Sequence, residues 1–246
     1  METNKSKPDI LYTYPKEVLD INWYNTTEEL VKEGYKVWAV NYDKWAQGSQ
    51  QDSSPVPPGY VGHIECANAF NAAAKEVYGD TDKKNLKLLD LGCGTGLVGK
   101  ILKEKFGFDN LVGLDVSEDM LEIAREKAIY NKFIYSYVTN ERVDEIDNAE
   151  FDGVLASAVI TPGQIKPSAF DEIIRWIKPG GIMCFNCRTD GYESEEYGYK
   201  AKFENFEIQK RWKLISNSDG DYYGGNYPAE SGPLTSRVLV YRMLPF

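Results

Sequence analysis

The chain has 246 residues with 38 acidic and 28 basic side chains, which gives a formal net charge of −10 at neutral pH. This length can bury a hydrophobic core within one α/β domain. The acidic balance and the lack of a lysine or arginine run argue against nucleic-acid binding, which needs a basic face. No apolar stretch reaches membrane-spanning length, and the polar N-terminus lacks the apolar core of a signal peptide, so we expect a cytoplasmic protein without membrane attachment.

The N-terminal part of the chain predicts helices and a loop. Residues 1 to 25 are polar and aromatic, and we expect them to form an arm lying on the domain. A capping box at Thr26–Glu29 opens a short predicted helix that Gly34 ends, and a second helical stretch covers residues 37 to 46. Residues 48 to 59 contain three prolines and predict a loop that covers a site.

Helical and strand periodicities alternate through the rest of the chain. Apolar residues recur at three- and four-residue steps over residues 61 to 77, which predicts a long amphipathic helix closed by Gly79. Further helices are predicted after the glycine-rich turn at residue 96, after Ser117, over Pro167–Ile177 and over residues 192 to 206. Strands are predicted over seven short apolar runs, at residues 86–91, 111–115, 133–138, 151–156, 182–186, 212–216 and 236–243.

Strands that alternate with helices predict a parallel sheet with helices on both faces. The last two predicted strands have no helix between them, so the final strand can run antiparallel. The predicted fold class is therefore α/β, with a Rossmann-like seven-stranded sheet that is mostly parallel and has its last strand antiparallel. Ligands of such sheets bind beyond the carboxyl ends of the strands, at the point where the strand order reverses.

The stretch from Leu86 to Gly99 carries the strongest signal for a ligand. A short apolar run containing Asp90 is followed by glycines at positions 92, 94 and 96 and then by helical periodicity. Such a strand, turn and helix bring backbone N–H groups and a helix N-terminus to one spot. The pattern G-x-G-x-x-G of dinucleotide sites overlaps here with the D-x-G-x-G-x-G of S-adenosylmethionine (SAM) sites. A carboxylate would repel a pyrophosphate and attract an ammonium or sulfonium group, which favours SAM.

Cysteine spacing does not indicate a metal site. Cys184 and Cys187 have C-x-x-C spacing, but no second pair exists to complete a zinc site, and both lie in a predicted apolar strand. We expect buried thiols, no metal, and the reducing compartment in which such thiols persist.

These motifs resemble those of class I SAM-dependent methyltransferases. The resemblance rests on Leu88–Gly96, on Leu111–Leu121 and on the turn Lys178–Gly181, and it covers roughly residues 60 to 245. A closer resemblance, to the methyltransferase-like protein of the Williams–Beuren chromosomal region, rests on Tyr42–Ala46, Gly163–Ile165 and Ile177–Thr189. One departure is Ser49-Gln50, where such proteins carry a second Tyr-Asp pair.

The resemblance implies a class I fold and SAM as the cofactor, and it divides the chain in two. Residues 1–59 would be an N-terminal arm, helices and a cover loop, and residues 60–246 the SAM-binding methyltransferase domain.

Cofactor-binding residues are expected at the carboxyl ends of the strands. Asp115 would accept the ribose hydroxyls, Asp90 would hold the methionine ammonium, and the glycine turn would form a backbone floor. Thr95 would cap the next helix or reach the cofactor carboxylate, and Asn140 would face the adenine amino group. The full expected set is Tyr60, Asp90, Gly92, Cys93, Gly94, Thr95, Gly96, Asp115, Val116, Ser117, Met120, Asn140, Ser157 and Ala158.

Three further residues are candidates for the acceptor side, namely Trp45, His63 and Arg188. His63 is the chain's single histidine and could act as a general base. Because the sulfonium is already a good electrophile, alignment and exclusion of water are the protein's main tasks, and a catalytic residue is not identified.

The expected activity is methyl transfer to a small molecule or a protein side chain, with no partner chain identifiable. The alternatives are a NAD(P)-dependent oxidoreductase, for which no Tyr-x-x-x-Lys pair is evident, and a SAM-binding protein without transfer activity.

Overall fold

The computed structural model describes residues 26–47, 60–222 and 234–245. The predicted arm and cover loop therefore lie outside the described residues, as does Ser49-Gln50. Two long helices precede the sheet, α1 at Glu28–Gln47 and α2 at Gly62–Tyr78, and Gly79 ends α2 as predicted.

Helix α1 is continuous, so the predicted break at Gly34 is wrong. Thr27 caps its N-terminus, because the Thr27 hydroxyl accepts a hydrogen bond from Leu30 N–H at 3.4 Å. Gly34 is buried within the helix. Packing of α1 on the domain outweighs the roughly 1 kcal/mol that a glycine costs inside a helix.

The sheet has the predicted seven strands in the order β3-β2-β1-β4-β5-β7-β6. Strands β1 to β5 pair in parallel, and β7 lies antiparallel between β5 and β6. The order reverses at β1, whose two neighbours are β2 and β4. The strands are β1 Leu88–Leu91, β2 Leu111–Asp115, β3 Lys132–Tyr135, β4 Phe151–Ala156, β5 Ile177–Arg188, β6 Trp212–Asp221 and β7 Thr235–Met243.

Short helices connect these strands. They are α3 Leu97–Lys100, which continues as the π-helical turn Ile101–Lys105, α4 Glu118–Glu126, α5 Phe170–Arg175, α6 Thr189–Glu193 and α7 Tyr199–Ile208, with 3-10 turns at Lys83–Asn85 and Pro167–Ala169. Ser117 caps α4 as predicted, since its hydroxyl accepts from Met120 N–H at 3.4 Å.

Several boundaries differ from the predicted ones, and two of them have a clear local cause. Ile177 begins β5 and does not end a helix, because it pairs with Phe151 before the ladder shifts register to Gly153 and Ile182. The helix predicted over residues 192 to 206 is two helices, since the first ends at Glu193 and the second begins after Gly198, which adopts a left-handed conformation with φ of 74°.

The sheet separates two hydrophobic layers because successive strand residues point to opposite faces. Leu88 packs under α2 with Phe70 and Phe108, whereas Leu89 faces the layer that contains Phe170 and Trp212. All four cysteines are buried free thiols, as predicted, and Cys66 and Cys184 approach to 3.6 Å between sulfur atoms. Among the described residues, no helix is both long enough and apolar enough to cross a bilayer.

Candidate functional site

A cavity that is partly open to solvent lies at the carboxyl ends of the parallel strands, where the strand order reverses. This is the place at which open α/β sheets bind ligands. Helix α1 forms part of its wall through Val31, Tyr35 and Tyr42. The remaining lining residues are Leu91, Gly92, Gly94, Leu114, Asp115, Val116, Met120, Ser136, Tyr137, Val138, Ser157, Ala158, Val159, Gln164 and Ile165.

The glycine turn forms one side of this cavity. Gly92, Gly94 and Gly96 have φ angles of 68°, 52° and 93°, a left-handed region that other residues adopt at a cost. Gly92 and Gly94 line the cavity, whereas a side chain at Gly96 would meet the Tyr130 ring at 3.2 Å. Cys93 is buried and is absent from the lining. Gly92 and Gly94 thus allow a ligand to approach the backbone closely, and Gly96 makes room for the Tyr130 ring.

Asp115 occupies the position expected of a ribose acceptor. It ends β2, lines the cavity and accepts hydrogen bonds from Gly94 N–H and Ser117 N–H at 2.8 and 2.9 Å. Burial raises the pKa of its carboxyl group, and the backbone donors oppose that rise. An ionised carboxylate has about four acceptor sites, so two backbone bonds leave capacity for two hydroxyls.

Asp90 lies behind the glycine turn and does not line the cavity. One oxygen accepts from Tyr130 O–H at 2.6 Å and from Gly99 N–H at 3.1 Å. The other, Oδ1, is buried without a hydrogen-bond partner among the described residues. Burial raises the pKa of this carboxyl group to about 7. Asp90 is therefore separated from the cavity by Leu91 and Gly92, the next residues along the chain, which do line it.

Thr95 makes a contact that the sequence did not predict. Its hydroxyl donates to Asp43 Oδ1 on α1 at 2.5 Å, and the same carboxylate accepts from Lys127 Nζ at 2.5 Å. Lys127 also donates to the Thr95 carbonyl at 2.6 Å. Thr95 is therefore paired with α1 and is absent from the cavity lining.

The expected adenine-binding residues lie together, with one exception. Val116 and Met120 line the cavity opposite Ser136–Val138, and buried Ser117 supports them as the cap of α4. Asn140 is exposed and does not line the cavity. The third strand ends at Tyr135, earlier than predicted, so Ser136–Val138 form the corner that was expected at Asn140.

Ser157 and Ala158 line the cavity at the end of β4, as expected. Tyr60 is buried behind them, where its hydroxyl meets Ser157 Oγ at 3.0 Å and accepts from Asn186 Nδ2 at 2.6 Å. Asn186 Oδ1 in turn accepts from Ala158 N–H at 2.9 Å. Tyr60 therefore supports the cavity wall and is not part of its lining. Asn186 was missed because its partners lie far away in the chain.

Neither His63 nor Arg188, two of the three expected acceptor-side residues, is among the residues that line the cavity. Burial lowers the pKa of His63 to about 4, so the ring is neutral at pH 7 and a weak base. Arg188 pairs with Asp190. Trp45 lies on α1, but its side chain is outside the described residues. Gln164 and Tyr35, joined by a 2.9 Å hydrogen bond, occupy the wall instead. The described residues contain no cluster suited to a metal ion.

The sequence of this chain is similar to those of known methyltransferases. The chain is 31% identical over 129 residues to phosphoethanolamine N-methyltransferase 1 of Zea mays, which covers 51% of the chain and 26% of that protein. It is 34% identical over 117 residues to methyltransferase-like protein 27 of Homo sapiens, covering 48% of the chain and 45% of that protein. The chain thus spans between a quarter and a half of the length of these relatives.

Solved structures share the fold at low identity. Magnesium protoporphyrin IX methyltransferase of Synechocystis PCC 6803, with bound SAM, has a TM-score of 0.60 at 15% identity, covering 88% of this chain and 96% of that one. The [4+2]-cyclase SpnF has a TM-score of 0.59 at 17% identity, covering 90% and 97%.

A family model described as a methyltransferase domain matches residues 82–218, more than half of the chain. The matched region includes the glycine turn, Asp115 and the cavity wall after β4, with the sheet order described above. The chain therefore belongs to the methyltransferase domain family.

Proposed function

We propose that this chain is a SAM-dependent methyltransferase that acts on a small molecule or a protein side chain. The observation that carries the proposal is the cavity at the reversal of strand order, where the glycine turn and the Asp115 carboxylate meet. Ribose hydroxyls, an adenine ring and a methionyl group need an acceptor, an apolar slot and close backbone approach, and this cavity offers all three.

Each part of the cofactor has candidate partners in this chain. Asp115 would accept the ribose hydroxyls, and Val116 and Met120 would hold the adenine ring. The backbone of Gly92 and Gly94 would lie along the methionyl portion, with the unpartnered Asp90 oxygen able to stabilise its ammonium through water. Ser157 and Ala158 would flank the reactive end.

The bound cofactor would supply a methyl group on a sulfonium, which needs a nucleophile in line with the carbon–sulfur bond. The protein's part is to hold the acceptor in line and to keep water out, and orientation alone can contribute about 7–11 kcal/mol. Helix α1, which covers the cavity with Tyr35 and Tyr42, suits that task. Burial raises the pKa of both phenols, which makes them poor bases, so we assign no catalytic residue among the described side chains.

We further propose kinship with methyltransferase-like protein 27, supported by 34% identity and by the motif Tyr42–Ala46. In this chain Tyr42 of that motif lines the cavity, and Asp43 accepts a hydrogen bond from Thr95 in the glycine turn.

Isothermal titration of the protein with SAM and with NADH tests the cofactor. Binding of SAM without NADH supports the proposal, and tight NADH binding without SAM would support the oxidoreductase alternative. A second alternative, a SAM-binding protein without transfer, is favoured by the similarity in fold to a protein described as a cyclase. Release of S-adenosylhomocysteine (SAH) with any compound in a metabolite or protein extract would exclude that alternative.

A further inference from the structure

The contacts of Asp43 join three separate parts of the molecule. Asp43 lies four residues before the end of α1, Thr95 lies in the glycine turn, and Lys127 follows directly on α4. One carboxylate oxygen accepts from the Thr95 hydroxyl and the other from the Lys127 ammonium. Lys127 closes the triangle by donating to the Thr95 carbonyl at 2.6 Å. We call these three residues the Asp43 clasp.

The clasp lies beside the cavity that α1 covers. Val31, Tyr35 and Tyr42 of this helix line the cavity, so moving α1 would open that wall. Tyr35 accepts a hydrogen bond from Gln164 at 2.9 Å, and Lys32 lies 5.1 Å from the centre of the Tyr135 ring. Helix α1 is therefore held at the glycine turn, at the segment after β4 and at the end of β3, which are three sides of one cavity.

Among these three attachments, the clasp is the one built from full charges. The side chains of Lys127 and Asp43 are 23% and 32% exposed, so water screens their attraction less than that of a surface pair. Charge-assisted hydrogen bonds are about twice as strong as neutral ones. Lys127 is also the C-cap residue of α4, the end of a helix at which a positive charge is favoured.

We propose that Asp43 is a positioning residue that, through Lys127 and Thr95, holds α1 closed over the cavity and so slows the exit of the bound cofactor. The cofactor named here rests on the proposed function, whereas the closure of α1 does not. If the cofactor leaves past α1, the clasp must break before release, so weakening the clasp speeds release.

The test compares the full-length protein with Asp43→Asn, Lys127→Met and the double variant. Lys44→Met is the matched control, because Lys44 is the next residue on α1 and is exposed. Hydrogen–deuterium exchange of the unliganded proteins reports on α1, with α2 as the internal reference. Stopped-flow measurement of SAH release reports on the site. Thermal melts identify any variant that fails to fold.

We expect exchange in residues 28–47 to quicken at least fivefold in each single variant while exchange in α2 stays unchanged. SAH release should quicken by about five- to twentyfold. The double variant should match the faster single variant, because Asp43→Asn and Lys127→Met each remove the same ion pair. Lys44→Met should change neither quantity. If the unliganded exchange of α1 is the same in all variants, the clasp does not hold α1 and the inference is overturned.

The two readouts also separate this inference from the proposed function. Should the wild-type protein fail to bind SAH, the proposed cofactor is wrong, and the exchange of α1 still decides whether Asp43 fixes the helix. Should SAH bind and leave at the same rate from every variant, the proposed function stands and control of cofactor exit is overturned.

Discussion

The buried carboxyl group of Asp90 makes the stability of the fold depend on pH. Burial raises its pKa from 3.8 to about 7, while Tyr130 and Gly99 lower it by hydrogen bonding. Between these two pH values the folded state binds more protons than the unfolded state, so stability falls as pH rises through that window. A charged, half-partnered carboxylate thus destabilises the protein above pH 7, and a cation that approached it would reverse the effect.

Replacement of Asp90 by asparagine is therefore expected to stabilise the unliganded protein. Asparagine keeps an oxygen for Tyr130 and Gly99 but carries no charge. The gain in unfolding free energy should be about 2 kcal/mol larger at pH 8 than at pH 5. Between pH 5 and the folded-state pKa of about 7 the wild-type protein loses about 1.4 kcal/mol of stability per pH unit, and relaxation of the structure around the charge reduces that sum. Urea denaturation at both pH values measures it, with exposed Asp80→Asn as the control. An equal gain at both pH values would contradict a buried charge at this position.

Asn186 stabilises an unusual backbone conformation in the cavity wall. Ala158 has a φ of 63°, which costs an alanine about 1–2 kcal/mol, and its N–H donates to Asn186. Gly62 permits this packing, since a Cβ there would lie 2.1 Å from Asn186 Nδ2. The buried network is fully connected from Tyr60 through Asn186 to Ala158, so removing its centre leaves polar groups unpaired.

Asn186→Leu is expected to lower the unfolding free energy by about 2–4 kcal/mol, because it leaves the Ala158 N–H unpaired and removes one of the two partners of the Tyr60 hydroxyl, which keeps Ser157. Adding Ala158→Gly should recover about 1 kcal/mol of that loss, since glycine tolerates the positive φ. Chemical denaturation of both single variants and the double variant measures the coupling, with Asn205→Leu on the exposed face of α7 as a control. Strict additivity would show that Asn186 does not support the strained residue.

At the scale of elements, the contact between α2 and the sheet depends on a glycine in β4. A Cβ at Gly153 would lie 2.5 Å from two atoms of the Phe70 ring. Gly153→Ala is expected to cost about 1–3 kcal/mol by overpacking, measured by denaturation. Gly191→Ala is the matched control. Gly191 lies in α6, and a Cβ there would lie 3.7 Å from Pro162, which is an ordinary van der Waals distance. A loss at Gly191 as large as that at Gly153 would contradict the steric explanation.

Strands were predictable where an apolar run ended at a sharp local signal. The strands Leu111–Asp115 and Phe151–Ala156 have the predicted bounds, since turn residues or a cap flank them. Two helix boundaries were wrong near glycines, because the effect of a glycine depends on surroundings that the local sequence does not contain. Gly34 is buried inside a continuous helix, whereas Gly198 adopts φ of 74° and is the N-cap of a helix that begins after α6 has ended at Glu193.

For the whole molecule, the side of the cavity made by strand ends was predictable, and the side made by α1 was not. Parallel topology alone brings Gly92, Asp115 and Ser157 to one edge of the sheet. The clasp joins Asp43 to Thr95 and Lys127, which lie 52 and 84 residues away, and Gln164 lies 129 residues from Tyr35. No local spacing encodes such pairs, because they arise only when α1 packs on α4.

Cofactor binding should stabilise the molecule as a unit, because the cavity draws its walls from α1, the glycine turn and the segments after β2, β3 and β4. A ligand of the native state at a hundred times its Kd adds about 2.7 kcal/mol, which for a domain of this size raises the Tm by roughly 5–10 °C. Thermal melts with SAM, SAH and NADH measure this. SAM and SAH should raise the Tm and NADH should leave it unchanged, since the described residues that line the cavity include the Asp115 carboxylate but no lysine or arginine to neutralise a pyrophosphate. A shift with NADH equal to that with SAH would contradict the proposed cofactor and favour a dinucleotide.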